Sequence, residues 1–269
     1  MKTMTGKNEE FAFASCIDIP VSRSSKPRTI GLNFSGDWGL GFGELESILE
    51  SRGEYLDAVK LAVLSGRLYT KEYIRKKIEL YRKHDVDIFP GGMTTEAALV
   101  CGKIDNFFKE SKELGFTEIE VSESEITIPP ETRLKLIEMA AKEGFKVQVE
   151  FGAHFAKSAL PVNHTIKLAK DALAAGAFKV CLEGDVIKLM KPWEDGANAD
   201  KVHTIIDQIG IDNLVFEIAS DLQLAQWFVL NYGPDVSFGN VQFDMIIQLE
   251  HVRRGMNISP TWFGKFASL

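Results

Sequence analysis

Short apolar runs alternate with amphipathic helical segments from residue 28 to the end of the chain, and this alternation constrains the fold more than any other feature. The helical segment that begins at Thr70 places Ile74, Ile78 and Tyr81 at helical spacing, with charged residues between them. Strands separated by such helices are typical of βα units and a parallel sheet. We predict strands at residues 29–34, 55–63, 86–90, 117–122, 145–151, 178–183, 213–219 and 236–240.

Eight strand–helix units in about 240 residues favour an α/β fold of the (β/α)8 TIM-barrel type. An open doubly wound sheet could be built from the same alternation. The chain lacks the glycine spacing of dinucleotide-binding folds, however, and it has no P-loop. We therefore predict a single barrel domain over residues 28–269, preceded by a lead-in segment of residues 1–27.

The net charge of −7 argues against a nucleic-acid-binding protein, which would usually carry a basic surface. A small anionic substrate is still compatible with this net charge, because a single pocket can have a positive potential on an acidic protein. The cysteines Cys16, Cys101 and Cys181 are far apart, which predicts free thiols, with Cys181 as a small buried side chain. Neither a signal peptide nor an apolar run of roughly 20 residues is present, so we expect a cytoplasmic protein with no membrane partner.

The active site of such a barrel lies at the C-terminal ends of the strands. Four consecutive predicted strands end in a glutamate: Glu120, Glu150, Glu183 and Glu217. Carboxylates that converge on one barrel mouth repel each other unless a cation offsets them. One interpretation is an Mg²⁺ site made from two or three of these carboxylates and water. The alternative is a set of salt bridges to basic side chains, for which the candidates are Lys60, Lys146, Arg28 and Arg254.

Other candidates lie in the same predicted loops. Lys60 is the one charged residue of the apolar run VKLAV, so it must face the barrel mouth or pair internally. Gly91-Gly92 and Gly239-Asn240 precede helices, where free backbone N–H groups can bind anions, although either pair could be only a tight turn. His154 follows the fifth predicted strand and is a further candidate.

Several segments, taken together, resemble the phosphosulfolactate synthase family, which includes the plant heat-stress-associated proteins. The resemblance runs from about Gly31 to Lys265 and rests on these segments: YLDAVKL, IFPGGMTTEAAL, ELGFTEIEVSESEITIP, KVCLEGD, LVFEIASDLQLAQWF, YGPDVSFGNVQFDMIIQLEHVRRG and WFGK. It implies a (β/α)8 barrel that adds sulfite to phosphoenolpyruvate with Mg²⁺ to give phosphosulfolactate. By position, Lys60 and the four glutamates match residues at the family's strand ends. Gly91, Gly92 and Asn240 match its loops, and Arg253 and Arg254 match its late arginine pair.

The sequence departs from the family pattern in four loops. The synthases usually have an acidic residue and a lysine just after strand 1, where we assign Asn33 and Phe34. Their Gly-Trp-Gly after strand 2 is replaced by AVLSG, their lysine-containing GKK or GSK after strand 5 by GAHF, and their Arg-Glu-Ser-Gly after strand 6 by GDVI. Several cationic groups that would bind phosphate and sulfite are therefore absent, and EVSESEITIPPET is closer to the heat-stress branch.

These observations predict an Mg²⁺-dependent lyase that adds a nucleophile to phosphoenolpyruvate or a related acceptor. Lys60 and Glu150 are the predicted catalytic residues, with Lys60 as a candidate proton donor, and Glu183 and Glu217 are the predicted metal ligands. The predicted substrate-binding residues are Gly91, Gly92, Glu120, His154, Gly239 and Asn240. The alternatives are a diverged family member with another substrate and a non-catalytic, stress-related barrel.

We also expect a homo-oligomer. Trp227, Phe228 and Trp262 are candidates for its interface, or alternatively for packing between a helix and the barrel.

Overall fold

The computed structural model describes residues 11–152, 161–184, 192, 194 and 196–256. Within these residues the chain forms eight parallel strands that alternate with helices. The strands are β1 (Phe34–Asp37), β2 (Ala58–Leu61), β3 (Asp87–Pro90), β4 (Glu118–Val121), β5 (Lys146–Phe151), β6 (Lys179–Leu182), β7 (Leu214–Glu217) and β8 (Ser237–Gly239).

The α-helices described lie between and after these strands. They are α1 (Phe42–Arg52), α2 (Lys71–Arg82), α3 (Gly92–Val100), α4 (Ile104–Leu114), α5 (Pro130–Lys142), α6 (Val162–Ala174), α7 (Gly196–Ile209), α8 (Leu222–Tyr232) and α9 (Ile246–Arg253). The predicted start of α2 is confirmed, because the Thr70 side chain caps the helix by accepting a hydrogen bond from the Tyr73 N–H.

The strands form the predicted (β/α)8 barrel. Ladders of hydrogen bonds join β1 to β3 in one parallel sheet and β4 to β8 in another. The two sheets meet at β8 and β1, where the Phe238 N–H donates to the Leu32 carbonyl at 2.8 Å and the Val241 N–H to the Phe34 carbonyl at 2.9 Å. At the other junction β3 lies beside β4, and Asp87 accepts a hydrogen bond from the Thr117 hydroxyl at 3.1 Å.

The predicted first strand was wrong in its position. Residues 29–34 were assigned to it, whereas β1 begins at Phe34 and continues to Asp37. The residues of Ser-Gly-Asp are typical of a turn, but pairing with β2 extends them into the strand. Asn33 therefore lies at the start of the strand, far from the mouth, where its side chain accepts a hydrogen bond from the Arg253 guanidinium at 2.8 Å. The strand ends in Asp37 and is followed by Trp38, so an acidic residue stands at the end of strand 1, where Asn33 was expected.

The barrel interior is filled below the mouth by a small apolar cluster: Leu32, Phe34, Ala58, Phe89, Cys181 and Val215. Cys181 is fully buried, as predicted, and all three cysteines are free. This cluster separates the charged groups at the mouth from the N-terminal end of the barrel, which residues 21–28 help to close. There Arg23 pairs with Glu250, and Arg253, also fully buried, donates to the Pro234 and Val236 carbonyls. The family's late arginine at position 253 is therefore a structural residue here.

The aromatic residues of α8 pack against the barrel. Phe228 is fully buried and stacks on Phe216 with ring centroids 4.0 Å apart, whereas Trp227 is partly buried against the core. Phe228 therefore serves helix packing, while Trp262 lies outside the described residues and the homo-oligomer stays a prediction. None of the helices within the described residues is long and apolar enough to cross a membrane.

Glu118 gives the barrel a pH-dependent stability. It is buried at the start of β4, and burial together with the charge of Asp87 raises its pKa from 4.5 to about 8. A carboxyl whose pKa is higher in the folded state favours the neutral form, so its contribution to stability is present at low pH and is lost as the pH rises from about 4.5 to about 8. We expect Glu118→Gln to raise the free energy of unfolding at pH 8 by on the order of 2 kcal/mol, and by less at pH 5.

Urea unfolding at the two pH values measures this difference. Glu138→Gln, on the exposed face of α5, is the matched control and should change neither value appreciably. An equal effect of Glu118→Gln at pH 5 and pH 8 would contradict the raised pKa.

Candidate active site

A lysine surrounded by three buried glutamates forms the floor of the barrel mouth. The Lys60 Nζ lies 3.4 Å from Glu120, 3.3 Å from Glu150 and 3.6 Å from Glu217. Lys60 is positioned by β2 and is 16% exposed, whereas the three carboxylates at the ends of β4, β5 and β7 are nearly inaccessible. The two sequence interpretations of Lys60 therefore both apply: it faces the mouth and it is internally paired.

Each glutamate has further hydrogen-bond partners that fix its position. Glu120 accepts from the Gly92 N–H at 2.6 Å and from the Gln148 amide at 3.1 Å. Glu150 accepts from the Ser124 hydroxyl at 2.9 Å. We call these three glutamates together with Lys60 the Lys60 cluster. Its third carboxylate, Glu217, accepts from the Asn240 amide and from the Gly184 N–H.

The Lys60 cluster contains more negative than positive charge, and its pKa values follow from that imbalance. Burial opposes the charged form of Lys60, but the adjacent glutamates outweigh this effect and hold its pKa well above 10.5. Burial raises the pKa of Glu120 to about 7, because the attraction of Lys60 offsets it only in part. Burial and the charge of Glu150 raise the pKa of Glu217 to about 8. Lys60 therefore stays a cation, while Glu120 can exchange a proton near neutral pH.

The two glycine loops are built for close approach. A Cβ on Gly92 would lie 2.3 Å from the Ser122 hydroxyl oxygen, and one on Gly239 would lie 3.1 Å from the Glu217 side chain. The Gly91 N–H donates to the Leu61 carbonyl at 3.0 Å and the Gly92 N–H to Glu120, so neither is left for an anion in this arrangement. The helix N-terminus at Gly91-Gly92 already faces a carboxylate, and substrate binding there stays a prediction.

The predicted metal ligands differ in their surroundings. Glu217 lies in a group with Glu150 and Cys181 whose potential ligand atoms are all within 4.8 Å of one another. Glu183 is buried after β6 and its charge contributes to the raised pKa of Glu217. The carboxylate oxygens fit a hard cation such as Mg²⁺, and the uncompensated negative charge would favour one, whereas the Cys181 thiol is not a ligand that Mg²⁺ prefers.

Above the Lys60 cluster lies a pocket of about 70 Å³ that opens to solvent. Its lining includes the predicted residues Gly91, Gly92, Glu120, Glu150 and Asn240. Lys60 is the only cationic side chain among the described residues that line it. Of the other predicted substrate-binding residues, Gly239 lies beneath Glu217, and His154 falls outside the described residues.

Several residues of this candidate site were not predicted from the sequence. Gln148 precedes Glu150 by two positions, so strand alternation could have placed both on the same face. Ser124 and Trp38 were missed because no pattern distinguishes them from ordinary loop residues. Glu96, on the buried face of α3, accepts hydrogen bonds from the Ser122 hydroxyl and from the N–H groups of residues 124–126, and it thereby holds the loop that carries Ser124.

The contribution of Lys60 to the cluster can be measured as stability. Lys60→Met leaves the buried carboxylates without their cation, so we expect a loss of about 3 kcal/mol at pH 8. The loss should be smaller at pH 5, where protonated glutamates need no partner. Chemical unfolding at both pH values checks this, with Lys76→Met as the control, since Lys76 is an exposed residue of α2. A loss that does not depend on pH would show that packing, rather than charge, accounts for the effect.

Comparison with known proteins gives one consistent family. A sequence model described as (2R)-phospho-3-sulfolactate synthase matches residues 21–258. The phosphosulfolactate synthase of Methanothermobacter thermautotrophicus is 31% identical over 242 residues, which cover 87% of this chain and 92% of that protein. Protein HEAT-STRESS-ASSOCIATED 32 of Arabidopsis thaliana is 28% identical over 233 residues, covering 78% of this chain and 79% of that protein.

Among solved structures, the YdjI aldolase from Escherichia coli K12 is similar in fold. It matches with a TM-score of 0.55 at 12% identity, over 89% of this chain and 91% of the aldolase. A likeness at this level of identity supports the barrel architecture alone.

Proposed function

The chain belongs to the phosphosulfolactate synthase family, and we propose that it is a lyase-type enzyme that adds a nucleophile to phosphoenolpyruvate or a related acceptor. The observation that carries this proposal is the Lys60 cluster at the barrel mouth. It places the Lys60 cation beside Glu120 and Glu150, the two carboxylates of the cluster that line the pocket. The name of the family's product places sulfur on C3 and phosphate on C2 of a three-carbon acid. Addition of the nucleophile to C3 must therefore be accompanied by delivery of a proton to C2.

Lys60 acts on the acceptor through its charge. Negative charge develops on the carboxylate side of the acceptor when the nucleophile attacks, and a cation fixed at that position stabilises it. The raised pKa of Lys60 makes it a poor proton donor, contrary to the role considered for it from sequence. Glu120, with a pKa of about 7, is better suited to deliver the proton to C2, while Glu150 holds Lys60 and Ser124 in place.

Mg²⁺ is the proposed cofactor, with Glu217 and Glu183 as its protein ligands. When bound, the ion would polarise the acceptor's oxygens and offset the excess negative charge of the floor. Glu217 supports this assignment because its carboxylate lies with Glu150 and Cys181 in a group whose potential ligand atoms are all within 4.8 Å of one another.

We expect divalent-ion binding to raise the melting temperature, because a ligand that binds the native state stabilises it. Millimolar Mg²⁺ or Mn²⁺ should raise the melting temperature of the wild type, and the increase should disappear in Glu217→Gln and in Glu183→Gln. Glu113→Gln, on the exposed surface of α4, should keep the increase. A wild-type melting curve that neither ion changes would leave the glutamates as an ion-pair network only.

The identity of the nucleophile follows from charge. Phosphoenolpyruvate and sulfite are both anions, and bringing them together requires concentrated positive charge. The described pocket lining has one cationic side chain, and that side chain already neutralises carboxylates. We therefore expect weak or absent synthesis of phosphosulfolactate and better turnover with a less charged nucleophile.

Mass spectrometry of mixtures of protein, Mg²⁺, phosphoenolpyruvate and a panel of sulfite, thiols and amines tests the reaction. We expect an adduct with an uncharged nucleophile, reduced about 100-fold or more in Lys60→Met. Robust synthesis from sulfite that depends on Lys60 would mean that the missing cations matter less than argued. No adduct with any nucleophile would favour the non-catalytic, stress-related alternative.

A further inference from the structure

The pocket has an apolar rim on one side. Trp38 and Val63, from the loops after β1 and β2, and Met93, in the first turn of α3, line the pocket together with Lys60, and we call these three residues the apolar rim. Trp38 is 76% exposed and Val63 is 38% exposed. Large apolar side chains that are exposed together beside a pocket are more informative than single ones scattered on a surface, because they lower the free energy of binding by burying apolar area.

The fold holds Trp38 in this exposed position. Asp37, the residue before it, accepts hydrogen bonds from the N–H groups of Gly39 at 2.8 Å and Leu40 at 2.9 Å. Asp37 is in turn fixed by Lys77 at 2.6 Å and by the Tyr81 hydroxyl at 2.9 Å, and all three of these side chains are fully buried. A buried ion pair therefore anchors the loop on both sides of Trp38, so the exposure of the indole is a consequence of the fold.

The acidic residues of the pocket come from the other sheet of the barrel. Glu120 and Glu150 line the pocket together with Ser122, Ser124 and Asn240. An anionic co-substrate in this pocket would lie close to the carboxylates, and Lys60 is the one cationic side chain that the described lining offers it. A co-substrate with an uncharged, apolar substituent would suit both the apolar rim and the carboxylates.

We propose that the nucleophile of this enzyme is an organic thiol with an apolar substituent that binds against the apolar rim, and that Trp38 is its specificity-determining residue. The proposal rests on the proposed function and names its second substrate by class. A thiol keeps the carbon–sulfur bond formation of the family, and a neutral thiol adds no charge to the pocket.

The addition balances without any other reactant. The thiol S–H bond breaks and a bond forms between sulfur and C3 of phosphoenolpyruvate. The double bond between C2 and C3 becomes a single bond, and the thiol proton ends on C2 by way of the floor carboxylates. The product is a thioether that keeps the phosphate and the carboxylate, and no oxidant or reductant is consumed.

Steady-state kinetics with phosphoenolpyruvate and Mg²⁺ test this with three nucleophiles: benzyl mercaptan, mercaptoacetate and sulfite. In the wild type we expect the highest kcat/KM for benzyl mercaptan. Trp38→Ala should raise the KM for benzyl mercaptan about tenfold with little change in kcat, because it removes binding that the ground state and transition state share. Trp38→Phe should restore most of the affinity. Leu68→Ala, which truncates an apolar residue that is 84% exposed and outside the pocket, should behave as the wild type.

The outcomes separate this inference from the function on which it rests. Turnover of sulfite at least equal to that of benzyl mercaptan, unchanged in Trp38→Ala, would overturn the thiol and leave the lyase standing. Absence of adduct with all three nucleophiles would overturn the lyase and the thiol together. Sedimentation of the wild type and of Trp38→Ala is the last measurement. If the wild type is an oligomer that dissociates in Trp38→Ala, and the KM for benzyl mercaptan does not change, the apolar rim binds a second copy of the chain and the proposal is overturned.

Discussion

The ion pairing of Lys60 with three buried glutamates is the interaction on which the barrel mouth depends. Ionised carboxylates taken out of water cost several kcal/mol each unless charge or hydrogen bonds offset this cost. Lys60 supplies the charge, and Gln148, Ser124 and Asn240 supply hydrogen bonds. Because the apolar interior lies directly below, none of these groups could instead turn toward water at the other end of the barrel.

The geometry of the pairing also suits Lys60 to a second partner. Its ammonium lies 3.3 Å or more from each of the three carboxylates, beyond the about 2.8 Å of a strong charge-assisted hydrogen bond. A cation shared in this way is held in position by the sum of its contacts without being committed to one of them. It can therefore turn toward a substrate carboxylate at a small cost, which is the property that a preorganised electrostatic catalyst requires.

The sequence predicted most of the barrel because each strand carries its own local signal. Seven of the eight strands lie within their predicted ranges, and β1 was misplaced because pairing with β2 overrode the turn propensity of Ser-Gly-Asp. The convergence of Lys60 with the strand-end glutamates followed from the fold. The hydrogen-bond partners of those groups could not be predicted in the same way. The hydrogen bond from Gly92 to Glu120, for example, depends on the side-by-side placement of β3 and β4, which no local pattern encodes.

The two sheets of the barrel divide the pocket between them. The sheet of β1 to β3 contributes Lys60 and the apolar rim, and the sheet of β4 to β8 contributes the carboxylates. The loop that carries Trp38 is anchored by the ion pair of Asp37 with Lys77, which joins β1 to α2, and among the described residues this pair makes no hydrogen bond or ion pair with the glutamates. Because its support is separate, the rim can be changed by substitution without disturbing the charge balance of the floor. A barrel built in this way can keep one reaction while the substituent of its second substrate changes.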